Sequence, residues 1–87
     1  MNSVYLFTAD WCSGCKSLKP ELKRIEGGLG YTEIDADSLE GGEMIAKYGI
    51  RALPTLLKVN EAGEVREALT GYRYSREIFE KFFEVSA

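Results

Sequence analysis

Residues 9–20, ADWCSGCKSLKP, carry both cysteines of the chain, Cys12 and Cys15, two residues apart behind Trp11 and ahead of a helical pattern. Just upstream, Val4-Tyr5-Leu6-Phe7-Thr8 is a run of strand formers without polar alternation, as expected for a strand covered on both faces. Downstream, Leu18, Leu22 and Ile25 recur at helical spacing, so a helix is expected from Cys12 to about Ile25. The cysteine pair therefore falls where a strand hands over to a helix.

That position has a chemical consequence. The first turn of a helix leaves backbone N–H groups unpaired and carries the positive end of the helix dipole, both of which favour an anion. A thiol at Cys12 gains thiolate character there, and the thiolate is the nucleophile. Cys15 lies one turn deeper, close enough to close a disulfide, and Lys16 adds a solvated positive charge nearby. A tetrahedral zinc site wants four ligands, whereas this chain has two cysteines and no histidine, so a metal would need carboxylates or a second subunit. An inert buried pair fits poorly with Trp11, Ser13 and Gly14, which suggest an exposed loop entering a helix. Redox chemistry is the reading that remains.

The rest of the chain supplies a frame. EGGLG (26–30) breaks the helix, and Tyr31 to Ala36 reads as a second strand. EMIAKYG (43–49) reads as a short helix, and PTLLKVN with VREALTG as a hairpin around EAGE. Ser75 caps a last helix expected to carry Ile78, Phe79, Phe82 and Phe83 on its inner side. The expected fold class is α/β, in the order β-α-β-α-β-β-α. Its mixed four-stranded sheet has a right-handed parallel βαβ unit, an antiparallel closing hairpin and helices on its faces. Residues 1–87 read as one domain. Tyr48, Tyr72 and Tyr74 read as core or rim aromatics, and Lys19, Lys23 and Arg24 as a solvated helix face. In IRALPTLL (50–57), Pro54 opens an apolar strand. Alone it reads as an edge or first-strand proline; beside a Cys-x-x-Cys helix, a cis Leu53–Pro54 bond is expected.

Composition removes other classes of function. A net charge of −3 without a long basic run argues against nucleic acid as the main partner. No apolar stretch approaches the ~20 residues that span a bilayer, and MNSVYLF enters a strand without a basic leader. A cytoplasmic protein is the expectation. In that compartment a close cysteine pair is catalytic or metal-binding rather than a permanent staple. Nothing in the sequence demands more than a monomer.

With these motifs in hand, the chain resembles the thioredoxin family. TADWCSGCKSLKP is similar to that family's Trp-Cys-x-x-Cys-Lys and its helix-kinking proline, here Pro20. KYGIRALPTLL is similar to the stretch entering its cis-proline strand, EIDAD to its second core strand, and Gly71 to the glycine bordering its substrate groove. The resemblance implies a thioredoxin-like fold and a protein thiol–disulfide oxidoreductase. Cys12 would attack and Cys15 would resolve. Leu53 and Pro54 would face them, with Trp11, Ser13, Gly14 and Gly71 flanking a groove for an extended client segment. It also implies disulfide-containing client proteins, a flavin-dependent thioredoxin reductase as electron source, and no bound cofactor. The size, and a Gly-aromatic-Arg stretch in LTGYRYSREIF, resemble the small glutaredoxin-like electron donors of ribonucleotide reductase, so that enzyme is a candidate client. A glutathione-dependent glutaredoxin and a non-catalytic thioredoxin-like interaction subunit are the alternatives.

Three departures from the family pattern stand out. The usual first strand and helix have no counterpart, because Val4 already belongs to the strand before the cysteines. Ser13-Gly14 replaces Gly-Pro, so Gly14 brings an N–H that proline lacks, which is expected to favour the Cys12 thiolate and make the couple less reducing. Leu6 stands where the family has a buried aspartate, and Glu33 where it has a nearby lysine. Strand alternation puts Tyr31, Glu33 and Asp35 on one face, and Glu33 is either the acid–base group for Cys15 or an exposed strand carboxylate.

Overall fold

The unalternating apolar runs become the two central strands of the sheet. In the computed structural model, which describes residues 1–71 and 73–86, β1 (Ser3–Thr8) lies between β2 (Thr32–Asp35) and β3 (Thr55–Val59). It pairs in parallel with β2 and antiparallel with β3, and β3 pairs antiparallel with β4 (Val65–Thr70). Tyr72, named above among the aromatics, lies outside the described residues. Every residue of β3 is buried, as expected for a strand with neighbours on both edges and cover on both faces.

The side-chain period of two divides β1 between two cores. Val4 and Leu6 pack with Leu18 and Leu22 of α1 (Ser13–Lys23) and with Phe79, Phe82 and Phe83 at α3 (Arg76–Phe82). Phe7 packs on the opposite face with Ile34 and Leu57, against Met44, Ile45 and Tyr48 of α2 (Leu39–Tyr48). The element order and mixed sheet are those expected from the sequence.

Local details differ. α2 starts at Leu39 rather than Glu43, because Ser38 caps it, its Oγ accepting the Gly41 N–H at 2.9 Å. Two consecutive glycines hid that start. Gly41 is required there, since a Cβ would collide with the Asp35 carbonyl. Ile78 is 42% exposed, not inward. The buried stripe of α3 runs through 79, 82 and 83, and residue 78 lies about 40° beyond Phe82 on the helical wheel, at the stripe's solvent edge. Lys58 is a further surprise: it is buried in β3, its Nζ lying 3.4 Å from Glu67, 3.3 Å from Glu84 and 4.8 Å from the Phe82 ring centroid.

Candidate functional site

The site forms where β1 ends and α1 begins. After Thr8 the chain turns, with the Cys12 N–H donating to the Ala9 carbonyl at 3.1 Å, and Cys12 becomes the N-cap of α1. Its Sγ accepts the Cys15 N–H at 3.2 Å. A sulfur at this position receives one of the orphan N–H groups of the first turn, and no acidic residue competes for that positive end. The sequence pointed to Gly14 as an extra donor for the reduced thiolate; in the disulfide state the donor recorded is Cys15. Further along, Pro20 has no N–H to give to the Lys16 carbonyl and sits inside the helix.

Cys12 and Cys15 are joined in a disulfide, with Cα atoms 5.3 Å apart. Ala9 completes their small buried cluster, against which Ala36 and Leu53 pack. Cys12 keeps 6% of its surface open and Cys15 only 1%, so a visitor meets Cys12 first. The opening is narrower than an exposed loop suggested, because Ala36 and Leu53 lean on the pair. Trp11 beside it is 70% exposed, and its indole N–H donates to Asp37 Oδ2 at 2.9 Å. Ser13 is exposed and Gly14 buried.

The other wall comes from the loop before β3. The Leu53–Pro54 peptide is cis, and Leu53 touches the cysteine cluster. Gly71, at φ 102°, donates its N–H to the Pro54 carbonyl at 2.8 Å. Positive φ is why glycine serves at that corner. The fold thus gathers Trp11, Cys12, Ser13, Gly14, Cys15, Leu53, Pro54 and Gly71 from three separate stretches onto one end of the sheet.

Glu33 and Leu6 are paired across the parallel strands. Leu6 is fully buried in the α1–α3 core, so an apolar side chain fills the space where the family resemblance puts a carboxylate. Glu33 bonds Lys19 at 2.5 Å, both side chains remaining partly exposed. Lys19 is therefore not part of a merely solvated face. The Glu33 hydrogen bond, together with the charges of Glu33 and Asp10, holds the Lys19 ammonium above its ordinary pKa. Burial, helped by the Glu33 charge, pushes the Tyr31 phenol up. Sequence reasoning missed Asp37 and Thr8. The Trp11–Asp37 bond spans 26 residues, and no local signal announces it. Among the described residues, no cluster of His, Cys, Asp and Glu can hold a metal ion, and no helix is long and apolar enough to cross a membrane.

A two-cysteine pair at a helix start, one sulfur reachable and the other beneath it, has the arrangement that reversible thiol–disulfide exchange requires. The family model described as Thioredoxin matches residues 2–84. The chain belongs to the thioredoxin family. It is 37% identical over 71 residues to a thioredoxin of Bacillus subtilis, covering 77% of this chain and 65% of that one. A thioredoxin of Listeria monocytogenes is 36% identical over 76 residues, covering 85% and 73%. Among solved structures, a mutant thioredoxin from Halobacterium salinarum superposes with a TM-score of 0.79 at 27% identity, covering 95% of this chain and 72% of the other. The chain thus spans about two thirds to three quarters of the length of these thioredoxin relatives.

Proposed function

We propose that the chain, read as one thioredoxin-like domain over residues 1–87, is a protein-disulfide reductase cycling between a Cys12/Cys15 dithiol and the disulfide. The observation that carries this reading is the sulfur pair at the N-terminus of α1, with the Cys15 N–H on Cys12 Sγ. In the reduced protein the Cys12 thiolate attacks one sulfur of a client disulfide. A Cys12–client bond forms, and the other client sulfur leaves as a thiolate and takes up a proton. Cys15 then gives up its proton and attacks Cys12 Sγ. The internal disulfide closes, and the second client thiol departs reduced. Two electrons pass from the cysteine pair to the client, and a flavin-dependent thioredoxin reductase returns them.

The extended client segment lies along Leu53, Pro54 and Gly71, pairing with backbone beside the cis peptide, with Trp11, Ser13 and Gly14 bordering the contact. Glu33 is the proposed acceptor of the Cys15 proton; its place on β2 opposite Leu6 supports this role. The reductase acts as a monomer in the cytoplasm, where thiols are kept reduced. Ribonucleotide reductase is the proposed client.

The test is turnover of a protein disulfide with NADPH and a flavin-dependent thioredoxin reductase. Activity driven by glutathione alone would instead make the chain a glutaredoxin. Full biological function of a double Cys12→Ser/Cys15→Ser chain would make it a non-catalytic interaction subunit. Captured partners of Cys15→Ser identify clients, ribonucleotide reductase among them or not.

A further inference from the structure

A polar cleft of ≈ 210 Å³ opens beside the sulfur pair on the β2 side, lined by Thr8, Ala9, Asp10, Lys19, Glu33 and Asp35. Its position relative to the chemistry is set by shared residues. Ala9 forms part of the cleft wall and also packs against Cys12 and Cys15. Lys19 follows Cys15 by one helical turn on α1. Asp35 Oδ1 accepts the Asp37 N–H at 2.9 Å, and Asp37 in turn holds the Trp11 indole.

Two features of the cleft ask for a ligand. Thr8 is 5% exposed, and its Oγ1 is a buried polar atom without a hydrogen-bond partner. A buried hydroxyl left unpaired is costly, so Thr8 Oγ1 has bonding capacity to offer a polar group that enters the cleft, in place of water. The wall charge is also unbalanced: three carboxylates face one ammonium, and that ammonium is engaged by Glu33. Among the described residues, neither Asp10 nor Asp35 has an ion-pair partner. The Glu33 hydrogen bond is the main reason the Lys19 ammonium sits above its ordinary pKa, and the charges of Glu33 and Asp10 add to it.

We propose that this cleft receives a lysine or arginine side chain of the client, from a position flanking the reacting disulfide. The proposal rests on the reductase reading above and adds a charge preference to it. An anionic side chain would meet Asp10, Glu33 and Asp35. An apolar one would leave the Thr8 hydroxyl unpaired. A cationic head group has donors for both the carboxylates and Thr8 Oγ1, and its stem can lie along Ala9. The exposed face of Trp11, steadied by Asp37, offers a cation a second favourable surface on the way in.

The test compares two disulfide peptides that differ only in carrying lysines or glutamates beside the cystine. The wild-type chain is expected to reduce the lysine peptide with a kcat/KM about tenfold higher at low salt, the advantage shrinking severalfold at about 0.5 M salt. Asp10→Asn with Asp35→Asn should bring the ratio close to one. Thr8→Val should lower it severalfold while leaving the glutamate peptide's rate unchanged. Equal rates for the two peptides at low salt overturn the proposal and leave the reductase reading standing. So does a preference that survives the double substitution. Reduction of neither peptide overturns the reductase reading, and this one with it.

Discussion

Two lysines of this chain meet carboxylates at opposite ends of the sheet, in different surroundings. Lys19 bonds Glu33 beside the disulfide, with 38% and 47% of the two side chains exposed. Lys58 is 6% exposed, pinned between Glu67 and Glu84 over the Phe82 ring. Water screens the first pair and contributes little to the second lysine's surroundings, so burial decides what each can do. The buried lysine is committed to the fold: its stem packs in the core and its charge must stay paired. The half-exposed pair can exchange partners and protons with solvent or with a bound group, and in the proposed reading it lies beside the path of the client. The sulfur end of the molecule is polar and adjustable, while the α3 end is locked.

The sharpest way to separate the two ends is to remove the resolving thiol. Cys15→Ser should abolish turnover and accumulate a mixed disulfide on Cys12, seen as a mass increase by intact-protein mass spectrometry. Continued turnover would break the two-cysteine mechanism. At the opposite end, Lys58→Ala should cost about 2–3 kcal/mol of stability, through lost packing and pairing. Lys58→Met, which keeps the stem, should cost less than about 1 kcal/mol. Urea unfolding measures both, and turnover per folded molecule should match wild type. A loss of turnover without loss of stability would erase the contrast.

Smaller effects belong to the sulfur end. Gly14→Pro removes one N–H near Cys12 and should make the couple more reducing by tens of millivolts, at roughly 30 mV per 1.4 kcal/mol. Equilibration against glutathione reads this, and a shift toward oxidant would reverse the argument. Lys19→Gln should change stability by less than about 0.5 kcal/mol, as for other exposed pairs. Glu33→Gln should alter the pH–rate profile of disulfide reduction, and an unaltered profile removes Glu33 from the proton transfer.

The least effect concerns pH. Hydrogen bonds from Asn2 and Lys58 hold the Glu84 carboxyl below its ordinary 4.5. A depressed carboxyl contributes stability above its unfolded pKa and loses it as pH falls through the folded one. Glu84→Gln should therefore flatten the acid limb of the stability curve below about pH 4.5, a small change because the group is exposed.

Much of the frame was legible before any coordinates. The unalternating run of strand formers in β1, period 3.6 in α1 and the glycine breaks at 26–30 are local signals, and local signals specify elements. The Cys-x-x-Cys spacing at a strand–helix junction likewise carried its chemistry in the sequence, because a helix start attracts an anion whatever surrounds it. α2 began early because two glycines blurred its start, and Ile78 pointed outward because a seven-residue helix buries a narrow stripe.

Tertiary structure decided what depends on distant partners. Trp11 finding Asp37, Gly71 bonding Pro54, Lys58 collecting two glutamates and Thr8 ending without a partner are outcomes of strands and loops meeting across tens of residues. Sequence periodicity reports which face a residue takes, but not who stands opposite. That is why the sulfur pair could be read from twelve residues, whereas the polar cleft beside it emerged only once β1, α1 and β2 were placed together.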